Sequence, residues 1–205
     1  MAETRIYLLR HAEIAENRDE AVYGAFPNAR VTEVGRRQAQ AAGTYLADVP
    51  FAAAYSSSFR RARETAQLVL GERDAHLRID DRWRERDFGE IDGLTVAQIA
   101  ARFPPGRPVL FGSEDATPGG AESLQSVRDR AVAALHDLLA AHAGEPVLVV
   151  SHKTTIRVLL CHLLGAPLTD YPKIGQANGA LNVLVDDPGE AQVRLEVVNE
   201  TGYLP

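Results

Sequence analysis

The chain begins with a compact apolar run, Ile6-Tyr7-Leu8-Leu9, which ends abruptly on two polar residues, Arg10 and His11. A run this short and rich in strand formers predicts a buried strand. Val147-Leu148-Val149-Val150 repeats the pattern and ends on Ser151-His152, and residues 52–55 predict a weaker third strand. Leu181-Asn182-Val183-Leu184-Val185 and Val193-Arg194-Leu195-Glu196-Val197 flank Asp186-Asp187-Pro188-Gly189-Glu190, a hairpin signal. Between the strands the apolar spacing turns helical. Thr32 is placed to cap a helix with Val34, Ala42, Tyr45 and Leu46 on its apolar side. Ser57 or Ser58 is placed to cap a second, with Phe59, Ala62, Ala66, Val69 and Leu70 on one face. Residues 124–142 predict a long amphipathic helix through Val127, Ala131, Ala134, Leu135 and Leu138, and residues 154–164 a fourth.

Strand and helix therefore alternate. This predicts an α/β fold: a three-layer sandwich with a mainly parallel central sheet and helices on both faces. Residues 104–120 are rich in Pro and Gly and lack periodicity, which predicts a surface insertion of the kind that lies over active sites. Without internal repeats or low-complexity tracts, residues 1–205 read as one domain.

Composition narrows the function classes. Hydrophobic residues make up 45% of the 205, enough for a substantial core, and a formal net charge of −6 argues against a nucleic-acid-binding surface. A small anionic substrate needs only a local arginine cluster. The single cysteine, Cys161, excludes an intramolecular disulfide and a cysteine-based zinc cage. The first apolar run is too short for a signal peptide or a membrane span. We expect a soluble, cytoplasmic protein that binds neither nucleic acid nor membrane. Oligomeric state is not encoded legibly, and a homodimer is compatible with the sequence.

Four segments carry candidate chemistry. Arg10-His11 and Ser151-His152 both sit at strand ends, where ligands bind in open α/β sheets. Either pair alone has an ordinary reading as polar residues at a loop start, but the repetition weakens it. Arg60-Arg61-Ala62-Arg63 sets three cations in a first helical turn against the macrodipole. A solvated face neutralised by Glu64 accounts for Arg60 and Arg63, and leaves Arg61 as a candidate anion ligand. Lys153-Thr154-Thr155 begins a helix, where free N–H groups favour anions, although Thr154 as an ordinary cap explains it equally well. Trp83-Arg84-Glu85-Arg86-Asp87-Phe88-Gly89 mixes both charge signs with two aromatics. It reads as a surface salt-bridge network, or as the source of a general acid, Glu85 or Asp87.

Together these segments resemble the histidine phosphatase superfamily, the phosphoglycerate mutase-like family. Arg10-His11-Ala12-Glu13 resembles its Arg-His-Gly-Glu signature, with Ala12 for the commoner glycine. Asn17, Gly24 and Thr32-Glu33-Val34-Gly35 continue the pattern, and Tyr55-Ser56-Ser57-Ser58-Phe59-Arg60-Arg61-Ala62 matches a second block. Glu85-Arg86-Asp87-Phe88-Gly89, followed by Asp92-Gly93, resembles the acid block, and Ser151-His152 with Ile156-Arg157 the second-histidine block. The usual glycine pair after that histidine is Lys153-Thr154 here, and Gly-Gly-Glu-Ser appears as Gly120-Ala121-Glu122-Ser123.

The resemblance implies catalysis by His11, Glu85 and His152, with phosphate held by Arg10, Arg61 and Asn17. It favours Glu85 over Asp87, which local chemistry leaves unresolved. His11 attacks phosphorus, Glu85 protonates the leaving oxygen, and water cleaves the phosphohistidine, with no metal or cofactor. Tyr23, Lys153 and Thr154 are candidate contacts to the rest of a small phosphorylated metabolite. The closest rival activity, cofactor-dependent phosphoglycerate mutase, shares the same site. Known mutases typically carry paired arginines before the long helix, whereas residues 102–120 hold only Arg102 and Arg107. That favours a phosphatase. A non-catalytic binding module is disfavoured by the full catalytic set. A metal site on His152 and His162 is disfavoured because a step of ten residues rises about 15 Å along a helix. His76, His136 and His142 are assigned no role.

Overall fold

The structure, a computed structural model, describes residues 2–15, 26, 28–73, 75–102, 114–115, 118–190 and 192–205. Six strands, β1 (Thr4–Arg10), β2 (Ala53–Ser56), β3 (Leu77–Ile79), β4 (Pro146–Ser151), β5 (Leu181–Asp186) and β6 (Arg194–Glu200), form one sheet in the order β3-β2-β4-β1-β5-β6. β1 and β4 pair in parallel, as do β2 with β4 and β2 with β3. β5 runs antiparallel to both β1 and β6, so among the described strands it alone opposes the rest. The expected hairpin is the β5–β6 pair.

Side chains alternate across the central strands and so divide the core in two. Leu9, Leu148, Val150 and Val183 pack against α1 (Glu33–Tyr45) and α2 (Arg60–Leu70). Ile6, Leu8, Val147 and Val149 pack on the other face against α4 (Leu124–Ala141) and α5 (Lys153–Leu163). The three-layer arrangement follows. Each of these fully buried aliphatic side chains contributes about 1.5–3 kcal/mol relative to exposure.

Thr32 caps α1 as expected, its hydroxyl accepting from the Gly35 N–H at 3.0 Å. Gly35 is required there. A Cβ would lie 2.3 Å from the Glu13 carbonyl oxygen, on the loop leaving β1. The cap expected for α2 is different. Phe59 occupies the N-cap with no side-chain hydrogen bond, and the Ser57 hydroxyl accepts from the Phe59 N–H at 3.3 Å while lying 2.6 Å from His152 Nε2. Two elements went unanticipated: β3, a half-exposed edge strand containing Arg78, and α3 (Val96–Arg102), whose Ile99 packs with Phe88 and Ile91.

Candidate active site

The parallel β1–β4 register brings the site together. Arg10 lies opposite Ser151, so the next residues, His11 and His152, leave adjacent central strands side by side with ring centroids 5.1 Å apart. Pairing persists one residue beyond β1, because the His11 N–H donates to the Ser151 carbonyl at 2.9 Å. β2 ends beside β4 and delivers Ser57 and then Arg61 on α2.

His11 is 3% exposed. Its Nδ1 lies 2.8 Å from the Ala12 carbonyl oxygen, which can only accept, so Nδ1 carries the hydrogen and Nε2 keeps its lone pair. Burial holds this imidazole well below the ordinary histidine pKa, and the nearby charges of Arg61 and Arg10 add to the effect. The ring is neutral with Nε2 available. Its backbone is clamped: Gly179 N–H and Asn178 Nδ2 both donate to the His11 carbonyl at 3.2 Å, and Ala12 N–H donates to the Thr65 hydroxyl at 3.0 Å.

Arg10 is buried and donates from Nη1 to the Gln176 carbonyl at 2.7 Å. Its Nε is buried without a hydrogen-bond partner. Desolvation pulls its pKa down to about 10, opposed by Glu85 and reinforced by Arg157 and Arg61. The Gln176 segment is fixed by a reciprocal amide pair with Asn182 on β5, at 2.7 and 3.0 Å. Asn182 also donates to the Leu8 carbonyl and accepts from the Asn199 N–H, both at 3.0 Å. Sequence reasoning did not assign this support. The available signal was Asn182 itself, an uncharged polar residue inside an apolar strand that must find partners when buried.

Arg61 is 1% exposed. It donates from Nε to His152 Nδ1 at 3.2 Å and from Nη1 to the Phe26 carbonyl at 2.8 Å, and its guanidinium sits 5.0 Å from the Phe59 ring. Arg60, by contrast, pairs with Glu64 at 2.7 Å, and Arg63 is exposed, as expected for a solvated face. Ser57 Oγ lies 2.6 Å from His152 Nε2, a partnership that was also not anticipated. Burial and then Arg61 hold His152 well below the ordinary histidine pKa.

Glu85 and Asp87 separate cleanly. Asp87 is exposed and accepts from the Gly89 N–H at 2.8 Å. Glu85 is 5% exposed, and its carboxylate accepts from the Thr154 N–H at 3.1 and 3.2 Å and from the Arg86 N–H at 2.8 Å. The segment is part of the interior and not a surface salt-bridge network. Trp83 is fully buried, its carbonyl accepts from the Ser151 hydroxyl at 2.8 Å, and the Arg84 carbonyl accepts from the Thr155 hydroxyl at 2.6 Å. Arg130, paired with Glu122, donates to the Arg82 and Arg84 carbonyls at 2.7 Å. The anion at the start of α5 is therefore Glu85, and His152, not Thr154, is the N-cap residue.

Lys153 and Arg157 follow on α5. Burial lowers both pKa values, and Lys153 also feels Arg10 and Arg157. Asn17 and Tyr23 lie outside the described residues, as does most of the 104–120 insertion. His162 occupies the far end of α5 and lines a separate hollow of about 490 Å³ with His136 and Leu164. Among the described residues no group of three or more His, Cys, Asp or Glu is grouped to hold a metal ion. No described helix is long and apolar enough to cross a membrane.

Residues 6–200 match the model of the histidine phosphatase superfamily, branch 1. The chain belongs to the histidine phosphatase superfamily. Among its relatives, the bifunctional protein Rv2228c of Mycobacterium tuberculosis is 35% identical over 203 residues, covering 98% of this chain and 55% of that protein. The chain thus spans about half the length of that relative. The glucosyl-3-phosphoglycerate phosphatase of Mycolicibacterium vanbaalenii is 33% identical, covering 100% of this chain and 98% of that protein. The solved native structure of mycobacterial glucosyl-3-phosphoglycerate phosphatase matches with a TM-score of 0.87 at 29% identity, covering 97% of this chain and 100% of that one. The three-layer architecture is thus that of a histidine phosphatase.

Proposed function

We propose that this histidine phosphatase hydrolyses a small phosphomonoester through a phosphohistidine on His11. One observation carries the reading: the Ala12 carbonyl fixes the hydrogen on Nδ1, leaving an unprotonated Nε2 among buried arginines. Nε2 attacks phosphorus and forms an N–P bond as the ester P–O bond breaks. Glu85 passes a proton to the departing oxygen. Water then attacks phosphorus and gives a proton to Glu85, and the N–P bond breaks to release inorganic phosphate and His11. Arg10 and Arg61 supply fixed positive charge for the equatorial oxygens, and His152 adds an N–H donor. Asn17 is a further phosphate ligand in this reading, and Tyr23, Lys153 and Thr154 contact the remainder of the substrate. The chemistry needs no metal or cofactor. The phosphatase names of two relatives support a phosphorylated sugar-acid metabolite as substrate class. We read the protein as a cytoplasmic single domain, with no nucleic-acid or membrane partner and a homodimer open to test.

The mutase activity remains the alternative for the same residues. Arg102, one of two arginines in the relevant stretch, pairs with Glu90 at 2.9 Å, which supports hydrolysis. The test is twofold. Phosphate release from phosphomonoesters should be lost in His11→Ala with the fold retained, and acid-labile phosphate should be trapped on wild-type His11. Near-normal turnover by His11→Ala would sink the mechanism. Interconversion of 2- and 3-phosphoglycerate faster than phosphate release would favour the mutase.

A further inference from the structure

The residues that grip His11 are themselves held. In the loop before β5, residues 176–180 touch both Arg10 and His11. The Gln176 carbonyl accepts from Arg10 Nη1, and the Ala180 carbonyl accepts from the Arg10 N–H at 3.0 Å. Gly179 N–H and Asn178 Nδ2 both reach the His11 carbonyl. What holds this loop in turn lies where the edge strand β6 ends.

β6 carries a bulge at that point. Between the pairs Val183–Val197 and Leu181–Glu200, β5 has one residue, Asn182, and β6 has two, Val198 and Asn199. Asn199 adopts φ 55°, and among the described residues no other non-glycine residue has a positive φ. Asparagine tolerates this left-handed conformation better than most residues, and bulges beside active sites re-aim a side chain. Here Asn199 Oδ1 accepts from the Ala177 N–H at 2.8 Å. Gly175 comes so close to the same amide that a Cβ there would lie 3.0 Å from Nδ2. Four residues on, the Tyr203 hydroxyl donates to the Gly179 carbonyl. Burial pushes the phenol pKa up, with Glu200 and Tyr45 adding to the effect, so that hydrogen stays available. The Tyr203 ring stacks on Tyr45 with centroids 4.7 Å apart, and Leu204 packs against Gly179. Gly179 therefore links Tyr203, through its carbonyl, to His11, through its N–H.

We propose that Asn199 and Tyr203 are positioning residues, which fix the proposed nucleophile by holding the 176–180 loop against the backbone of His11. Neither touches the reacting atoms. The inference rests on the reading of His11 as nucleophile for its kinetic readout alone. Tyr203 acts at Gly179, which grips His11, and not at the Gln176 carbonyl, which holds Arg10. Its loss therefore weighs on the chemical step more than on phosphate binding.

Tyr203→Phe deletes one oxygen and keeps the stack. With a phosphomonoester substrate, kcat should fall about 10-fold while KM stays within about twofold, because small displacements of a reacting group act on the rate. Asn199→Gly suits the left-handed backbone but loses the amide, and should lower kcat by about the same factor. Asn199→Asp keeps an acceptor for the Ala177 N–H and should restore kcat to within about twofold of wild type. Arg73→Lys is the control for stability alone. Arg73 joins the ends of α1 and α2 through the Gly43, Leu46 and Val69 carbonyls, so this variant should melt earlier with kcat unchanged. A kcat within about twofold of wild type in either Tyr203→Phe or Asn199→Gly overturns the proposal. So does an Asn199→Asp as impaired as Asn199→Gly, or a kcat that merely tracks melting temperature across the four variants. Hydrogen exchange at the Gly179 N–H reads the grip without any chemistry. It should quicken about 10-fold in Tyr203→Phe, the effect of one lost hydrogen bond, and unaltered exchange overturns the grip. A wild type that releases no phosphate, with exchange still quickened in Tyr203→Phe, loses the catalytic reading and retains the grip.

Discussion

Arg61 Nε donates to His152 Nδ1 at 3.2 Å, and this single bond determines the state of the second histidine. An arginine Nε can only donate, so Nδ1 must hold a lone pair, and the hydrogen of the neutral ring lies on Nε2. That hydrogen points at Ser57 Oγ, 2.6 Å away. Arg61 therefore orients a donor as well as supplying charge.

Arg61→Lys keeps the charge but loses both the planar fork and the bond to His152. We expect kcat for phosphomonoester hydrolysis to fall about 100-fold, a loss typical of removing one transition-state donor. Steady-state kinetics beside a thermal melt will check it. An intact enzyme with kcat within a few-fold of wild type would contradict the role given to this bond.

Glu85→Gln retains the acceptor for the Thr154 N–H but cannot transfer a proton. Turnover of an alkyl phosphate should drop by about 10² or more, and that of p-nitrophenyl phosphate, whose leaving group needs no protonation, markedly less. Equal losses on both esters would count against Glu85 as proton donor.

Asn182→Leu breaks the amide pair that fixes Gln176 and leaves the Gln176 carboxamide and the Leu8 carbonyl short of partners. The stability cost should be about 1–3 kcal/mol, read from the urea midpoint. Because the Gln176 carbonyl positions Arg10, KM should rise several-fold as well. A variant destabilised to that extent but with unchanged KM would mean that Arg10 is held by other contacts.

Much of this arrangement was legible in the sequence, and the reason is local. Apolar runs ending on Arg-His and Ser-His mark central strands and their candidate site ends together, Thr32 follows the helix-capping rule, and Arg61 stands out by opposing the helix dipole. The rest depends on distant partners. Ser57 looks like a simple helix cap until His152, 95 residues further along, sets its ring against the same hydroxyl. Trp83 and Glu85 look like surface residues until α4 and α5 close over them. β3 is three residues long and half exposed, so it has too few buried positions to leave a pattern.

Stability should depend on pH through the same two histidines. Both are neutral and buried in the fold, whereas in the unfolded chain they titrate near the ordinary value of 6.5. Below that pH the unfolded chain binds more protons. Their contribution is therefore fully present above about pH 6.5 and is lost as pH falls below it, at up to about 1.4 kcal/mol per pH unit for each ring. Urea midpoints between about pH 7.5 and 5.5 should decline accordingly, less steeply in His11→Ala. A flat profile in the wild type would rule out two neutral buried rings.

The β1–β4 pairing that sets His11 beside His152 joins residues 141 apart in sequence, Arg10 opposite Ser151, so the site has no local precursor during folding. Such long-range closure is slow and comes with the condensation of the central sheet. No fragment lacking either strand can retain partial activity, and recovery of activity after dilution from urea should track the slowest structural phase. Because only the assembled sheet brings Arg10, His11 and His152 together, a tightly bound phosphate analogue should, on the proposed function, raise the melting temperature of the whole sheet through mass action. Hydrogen exchange in β1, β2 and β4 would then slow together, far beyond the residues in contact with the ligand.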